Sequence, residues 1–126
     1  MTPRLALVAG SLLMAMAVAL GAFGAHALKA RLAPEMPAIW QTGVTYHAWH
    51  ALALLLLGLL MLHSPDSAGL RYAAWLFVAG VVLFSGSLYL LALGAPRIVG
   101  AITPFGGVAF IAGWVACAVA AWGMRA

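Results

Sequence analysis

Four apolar runs, separated by breaks rich in proline, glycine and charge, leave this chain few ways to fold. They extend over about Leu5 to Ala25, Val44 to Leu62, Leu70 to Ala92 and Gly100 to Trp122. Each approaches the roughly 20 residues that a helix needs to cross a hydrocarbon core of about 30 Å. Outer-membrane strands would alternate in polarity over about ten residues, and these runs do not. The chain is 67% hydrophobic and 6% charged, against about 45–50% and about 25% for a soluble domain. A soluble fold of this size has too little interior to hide that much apolar surface. The expected fold is an all-α membrane protein: one four-transmembrane-helix bundle over residues 1–126, with helices at about 5–25, 37–63, 70–92 and 100–122.

The breaks refine the outline. In the first connection Leu28, Ile39 and Trp40 are apolar while Lys29, Arg31 and Glu35 are charged. The stretch 27–33 therefore reads as a short amphipathic interfacial helix. Pro37 suits the first turn of a helix, where its missing N–H costs nothing, so helix two is expected to start ahead of its apolar run. Arg4 followed by a run ending Gly-Ala-Phe-Gly-Ala-His-Ala has the outline of a signal peptide, but its length favours a retained helix.

The net charge of +4 rests on Arg4, Lys29, Arg31, Arg71, Arg97 and Arg125, scattered among loops and termini. That pattern fits helix ends seated among lipid headgroups rather than nucleic-acid binding. The two sides of the membrane receive equal shares of these residues, so they set no orientation. The single cysteine, Cys117, excludes an internal disulfide framework and a thiolate zinc site; it reads as a small apolar residue against lipid or a neighbouring helix. Tyr46, Trp49, Trp40, Tyr72, Trp75 and Trp122 lie near helix ends and read as an aromatic belt. Small residues recur at four-residue spacing, as Ser11, Ala15 and Ala19, as Ala17, Gly21 and Ala25, and as Ala112, Ala116 and Ala120, with Gly113 beside them. Such spacing lets helices approach closely in lipid.

Polar residues at membrane depth are the best pointers to function, because lipid penalises each one that lacks a partner. Four places hold them: His26; Tyr46-His47-Ala48-Trp49-His50; Ser85-Gly86-Ser87-Leu88-Tyr89; and Thr103-Pro104-Phe105-Gly106-Gly107. At about 1.5 Å per residue, His50 lies roughly 9 Å inside Val44 and Ser87 roughly 10 Å inside Gly94. With four spans, all four places fall in the half of the bundle beside the first and third connections. His26, His47, His50, Ser85, Ser87, Tyr89, Thr103 and Pro104 are thus expected to form one polar cluster, structural or ligand-binding.

No catalytic constellation is present, since both acidic residues, Glu35 and Asp66, sit in connections. No cofactor and no metal ligand set is expected. Three readings follow. The leading one is a non-enzymatic scaffold or accessory subunit, packing on other membrane-protein subunits or on itself. The alternative is a binder or carrier of a small lipid or quinone-like ligand in the polar half-site. The third is a metal or haem site on His26, His47 and His50, which lacks the carboxylates that commonly orient ligand histidines.

The motifs Gly21-Ala-Phe-Gly-Ala-His26, Tyr46-His-Ala-Trp-His-Ala-Leu-Ala-Leu54, Phe84-Ser-Gly-Ser-Leu-Tyr89 and Gly100-Ala-Ile-Thr-Pro-Phe-Gly-Gly107 resemble, in order and over nearly the whole chain, the small membrane family called "domain of unknown function 423". The resemblance implies a four-helix multi-pass protein, placed in the bacterial inner (cytoplasmic) membrane, and implies no activity. It also implies that Gln often stands where His47 does, and Gly where Ala27 does. Gln is a poor metal ligand, which leaves His26 and His50 as the stronger candidates for one.

Overall fold

In lipid a chain must satisfy its own backbone N–H and C=O groups, so each apolar run is obliged to become a helix. A computed structural model describes residues 1–124. Its helices are α1 (Pro3–Leu28), α2 (Met36–His63), α3 (Ala68–Ala92) and α4 (Arg97–Trp122), each long and apolar enough to cross a bilayer. No strand occurs among the described residues, and Arg125 lies outside them. The chain is an all-α integral membrane protein with four membrane-spanning helices.

The helix ends follow from local chemistry. Thr2 caps α1 by accepting the Leu5 N–H at 3.2 Å, with Pro3 in the first turn. Ser67 caps α3 through the Leu70 N–H at 3.4 Å. Beyond α3, Gly94 takes a φ of 99° while the Ala95 N–H returns to the Leu90 carbonyl at 3.0 Å, a glycine-terminated end that a side chain at that φ would strain. Pro37 occupies the first turn of α2. α4 opens as a 3₁₀ turn over Arg97–Ala101 and becomes α-helical at Thr103, so Pro104 again sits in a first turn and breaks nothing.

The expected interfacial helix over 27–33 is absent. α1 instead runs on to Leu28 through a π-helical turn, Gly24–Leu28, and the chain then passes to α2 through turns. Leu28 and Leu32 pack towards Trp40 while Lys29 and Arg31 remain exposed. The segment is therefore amphipathic without being helical; a helix of seven residues has too few bonds to offset its nucleation.

α1 packs along α2, α4 packs along α3, and the α2–α3 seam joins the two pairs. α2 is the central helix: 50% of its membrane window is buried, against 17% for α1 and for α4. α2 and α4 flank α3 with their backbones held apart, which leaves a gap between them. At the α1–α2 contact a Cβ on Gly10 would stand 2.9 Å from the Leu55 nitrogen and 3.1 Å from the Ala51 carbonyl oxygen. Bare backbone is what lets these helices meet. Of the small-residue stripes, Ala17 is buried, Gly21 faces Val44 and Gly113 faces Phe77, whereas Ser11, Ala15 and Ala19 point outward.

Candidate functional site

A π-helical turn interrupts α3 at Val81–Ser85. Such turns add a residue to the helix circumference and offset the main chain, and they are frequent at functional sites. Here the offset has partners on both sides. The buried Ser85 hydroxyl donates to the Gly43 carbonyl of α2 at 2.7 Å. On the other side the main chain at Phe84 presses against Gly106 of α4, where an added Cβ would collide with the Phe84 nitrogen. One turn further on, Ser87 lies 2.6 Å from the Thr103 hydroxyl and donates to the Phe84 carbonyl at 2.9 Å, which makes Thr103 the donor in the first contact.

His47 continues this seam. Its Nδ1 is 2.9 Å from the Tyr89 hydroxyl, and the ring is 1% exposed. Its Nε2 is the sole buried side-chain polar atom without a partner among the described residues, and it faces the main chain of Leu13 on α1 without reaching hydrogen-bond geometry. The Tyr89 O–H has no other acceptor, so the network assigns it as donor to Nδ1 and leaves an Nε2–H aimed at α1. Gln presents the same acceptor–donor order, which accounts physically for the exchange that the family resemblance implies.

His50, one turn along α2, belongs to a different interface. Its Nδ1–H donates to the Tyr46 carbonyl at 2.7 Å, and its Nε2 accepts the indole N–H of Trp114 on α4 at 3.1 Å. An indole N–H can only donate, so Nε2 carries a lone pair and the ring is the neutral Nδ1–H tautomer. The ring stacks on Phe110 at 3.5 Å between centroids. Both nitrogens are thus engaged.

The expected single cluster is therefore divided. Ser85, Ser87, Tyr89, Thr103 and His47 join in the α2–α3–α4 seam, and His50 sits apart in an aromatic cage. His26 and Pro104 are exposed and belong to neither. No three His, Cys, Asp or Glu side chains converge among the described residues, and His47 and His50 turn into different interfaces, so the geometry lends the metal reading no support.

Trp40 also differs from expectation. Its place near a helix end predicts a belt residue, but it is 4% exposed, and its indole N–H donates to the Leu20 carbonyl at 2.9 Å. It reaches that carbonyl across the bare face of Gly24, at the start of the α1 π-turn. Tyr89 lies against it at 4.8 Å. The Gly24 on the preceding helix was the available signal for this approach.

The gap between α2 and α4 forms a groove floored by α3 and open towards lipid. Its upper chamber, beside Tyr46, Trp49, His50, Phe84, Gly107 and Phe110, holds about 370 Å³. Its lower chamber, beside Leu57, Leu60, Leu70, Phe77, Cys117 and Ala121, holds about 250 Å³. Trp114 lines both. Among the described residues no charged side chain lines either chamber. Tyr46 and Trp49 line the upper chamber, and neither the Tyr46 hydroxyl nor the Trp49 indole N–H has a hydrogen-bond partner among the described residues.

Comparison with known proteins agrees with this architecture. A family profile described as "Protein of unknown function (DUF423)" matches residues 20–107. The UPF0382 membrane protein SERP0230 of Staphylococcus epidermidis is 46% identical over 90% of this chain and 92% of its own length. The UPF0382 membrane protein YwdK of Bacillus subtilis is 45% identical over 91% and 94% respectively. The UPF0382 membrane protein SAB0533 of Staphylococcus aureus is 41% identical over 93% and 94%. No solved structure matches the chain. With a matching profile over most of its length and bacterial membrane relatives aligned nearly end to end, this four-helix chain belongs to the DUF423 family of membrane proteins.

Proposed function

We propose that this protein binds a neutral, carbonyl-headed membrane lipid of the isoprenoid-quinone kind in the groove between α2 and α4. The observation that carries the reading is the upper chamber itself. Its walls are continuous with the lipid-facing surface, so a molecule enters sideways from the bilayer. Aromatic rings of Tyr46, Trp49, Phe84 and Phe110 line it, and a planar ring stacks favourably on such faces. The free Tyr46 O–H and Trp49 N–H supply donors for carbonyl oxygens, while the lack of a cation disfavours a phosphate. Pockets of this kind, mostly apolar with a few placed polar groups, are the usual form of small-molecule sites.

Gly107 offers the test. A Cβ there meets nothing closer than the Phe84 ring at 3.8 Å, so Gly107→Leu fills the chamber from an open position. Mass spectrometry of protein extracted in mild detergent from quinone-containing membranes is expected to show bound quinone in the wild type and a several-fold lower occupancy in the variant. Equal occupancy in the two, or none in either, overturns the reading.

The scaffold reading draws on a different observation, the outward-facing stripe of Ser11, Ala15 and Ala19 on α1. Small residues at that spacing suit close helix pairing in lipid. Cysteine placed at Ala15 would crosslink between copies in native membranes if α1 self-associates; its failure to form dimers removes self-pairing through this face.

A further inference from the structure

The groove is not an open trough: deep in it His50 of α2 stacks on Phe110 of α4, and nearer its lipid-facing mouth the more exposed Trp114 crosses it. Trp114 springs from α4, its indole leans over Phe77 of the floor at 4.8 Å between centroids, and its N–H ends on His50 of the opposite wall at 3.1 Å. The hydrogen bond ties a half-exposed side chain across the gap, where an unanchored indole would be free to lie along its own helix. His50 is itself fixed by the Tyr46 carbonyl and by stacking on Phe110. The cross-piece is therefore braced at both ends and from below.

Resting on the reading of the groove as a lipid site, we infer that Trp114, held by His50, is the residue that limits the length of ligand tail the groove accepts. From Tyr46 to Leu60 the α2 wall runs ~21 Å, longer than the ~15 Å depth of one leaflet's hydrocarbon. Without the cross-piece, one extended tail would lie along both chambers and pass the bilayer midplane. With it, a tail whose head is held at Tyr46 and Trp49 is stopped beneath the upper chamber and must turn out into lipid. The lower chamber is left as a separate apolar recess opening to the other half of the membrane, beside Cys117 and Leu60.

The experiment is a competition between a short-tailed and a long-tailed isoprenoid quinone for the protein in nanodiscs, comparing wild type with Trp114→Ala and Trp114→Leu. The leucine variant keeps an apolar side chain against Phe77 while giving up the reach to His50, which guards against a simple failure to fold. Both variants are expected to shift preference towards the long tail by roughly fivefold, a packing-scale effect, because a tail leaving lipid for protein gains contact rather than hydrophobic transfer. Wild type that binds one or both quinones, with an unchanged preference in both variants, overturns the role of Trp114 alone. Wild type that binds neither removes the site on which the inference stands.

Discussion

The two halves of this bundle are joined by different means. Beside the second connection and the chain termini, the helices meet by bare backbone, as where Gly10 faces Leu55 and Gly58 faces Leu7. Beside the first and third connections bare glycines at Gly24 and Gly106 are joined by bent main chain and hydrogen bonds: π-turns in α1 and α3, Trp40 on Leu20, Ser85 on Gly43 and Tyr89 with His47. Lipid tails are as apolar as leucine, so burial alone does not choose one helix pairing over another. Shape makes the choice in one half, and directional bonds are added to it in the other. Polar bonds fix geometry more tightly than contact does, and the half that uses them is also the half that carries the aromatic chamber.

The contrast can be broken at its tightest point. Gly106 touches the displaced main chain of the α3 π-turn, which has no side chain to swing aside. Gly106→Ala is expected to cost about 3 kcal/mol, at the upper end for overpacking, read as a lowered thermal midpoint in detergent. Its neighbour Gly107 faces open space, and Gly107→Ala is expected to stay within ~0.5 kcal/mol. Equal effects at the two positions would mean that the π-turn is not pressed against α4.

In the bare-backbone half, Gly10→Ala is expected to cost about 2 kcal/mol, because the Leu55 side chain can yield while its nitrogen and the Ala51 carbonyl cannot. A loss matching that of Gly106→Ala would erase the distinction between the halves. His47 sharpens the polar side of the comparison. His47→Leu strands the Tyr89 hydroxyl and is expected to cost about 1 kcal/mol, whereas His47→Gln keeps the acceptor for Tyr89 and a donor towards Leu13 and should recover most of it. Urea or thermal unfolding of the pair checks this, and equal losses would show that the ring's shape matters more than its bonds. The smallest effect is expected for Ser85→Ala, about 0.6 kcal/mol, the average for an interhelical bond in a bilayer.

Much of this was legible in the residues and some was not, for identifiable reasons. Four crossings follow directly from hydropathy, since lipid allows long apolar runs no other form. The gathering of Ser85, Ser87, Tyr89 and Thr103 follows from counting residues inward from each connection, because antiparallel spans must bring those depths together. Depth does not specify azimuth, however. His26 shares the depth of the cluster but points outward, and His47 and His50 share a helix yet serve different neighbours. Trp40 has the address of a belt residue, and only the bare face of Gly24 on the preceding helix distinguishes it. The π-turns leave no compositional trace. The groove was illegible for a deeper reason: it is defined by two helices whose backbones stay apart and meet only through large side chains, and small-residue spacing signals only where backbones approach closely.

The placement of α4 has a consequence for how the protein comes into being. Chains enter the membrane from their N-terminal end, so α1 and α2 are available to pair before α4 has left the ribosome. At that stage Tyr46 and His50 of α2 lack their α4 neighbours, Phe110 and Trp114. The groove, its bridging indole and both chambers arise in one step, when the final span settles onto α3. A copy cut short after the third crossing would retain nearly every polar bond between α2 and α3 and yet hold no chamber, and the arrival of the last helix would itself compete with any lipid already resting on that exposed face.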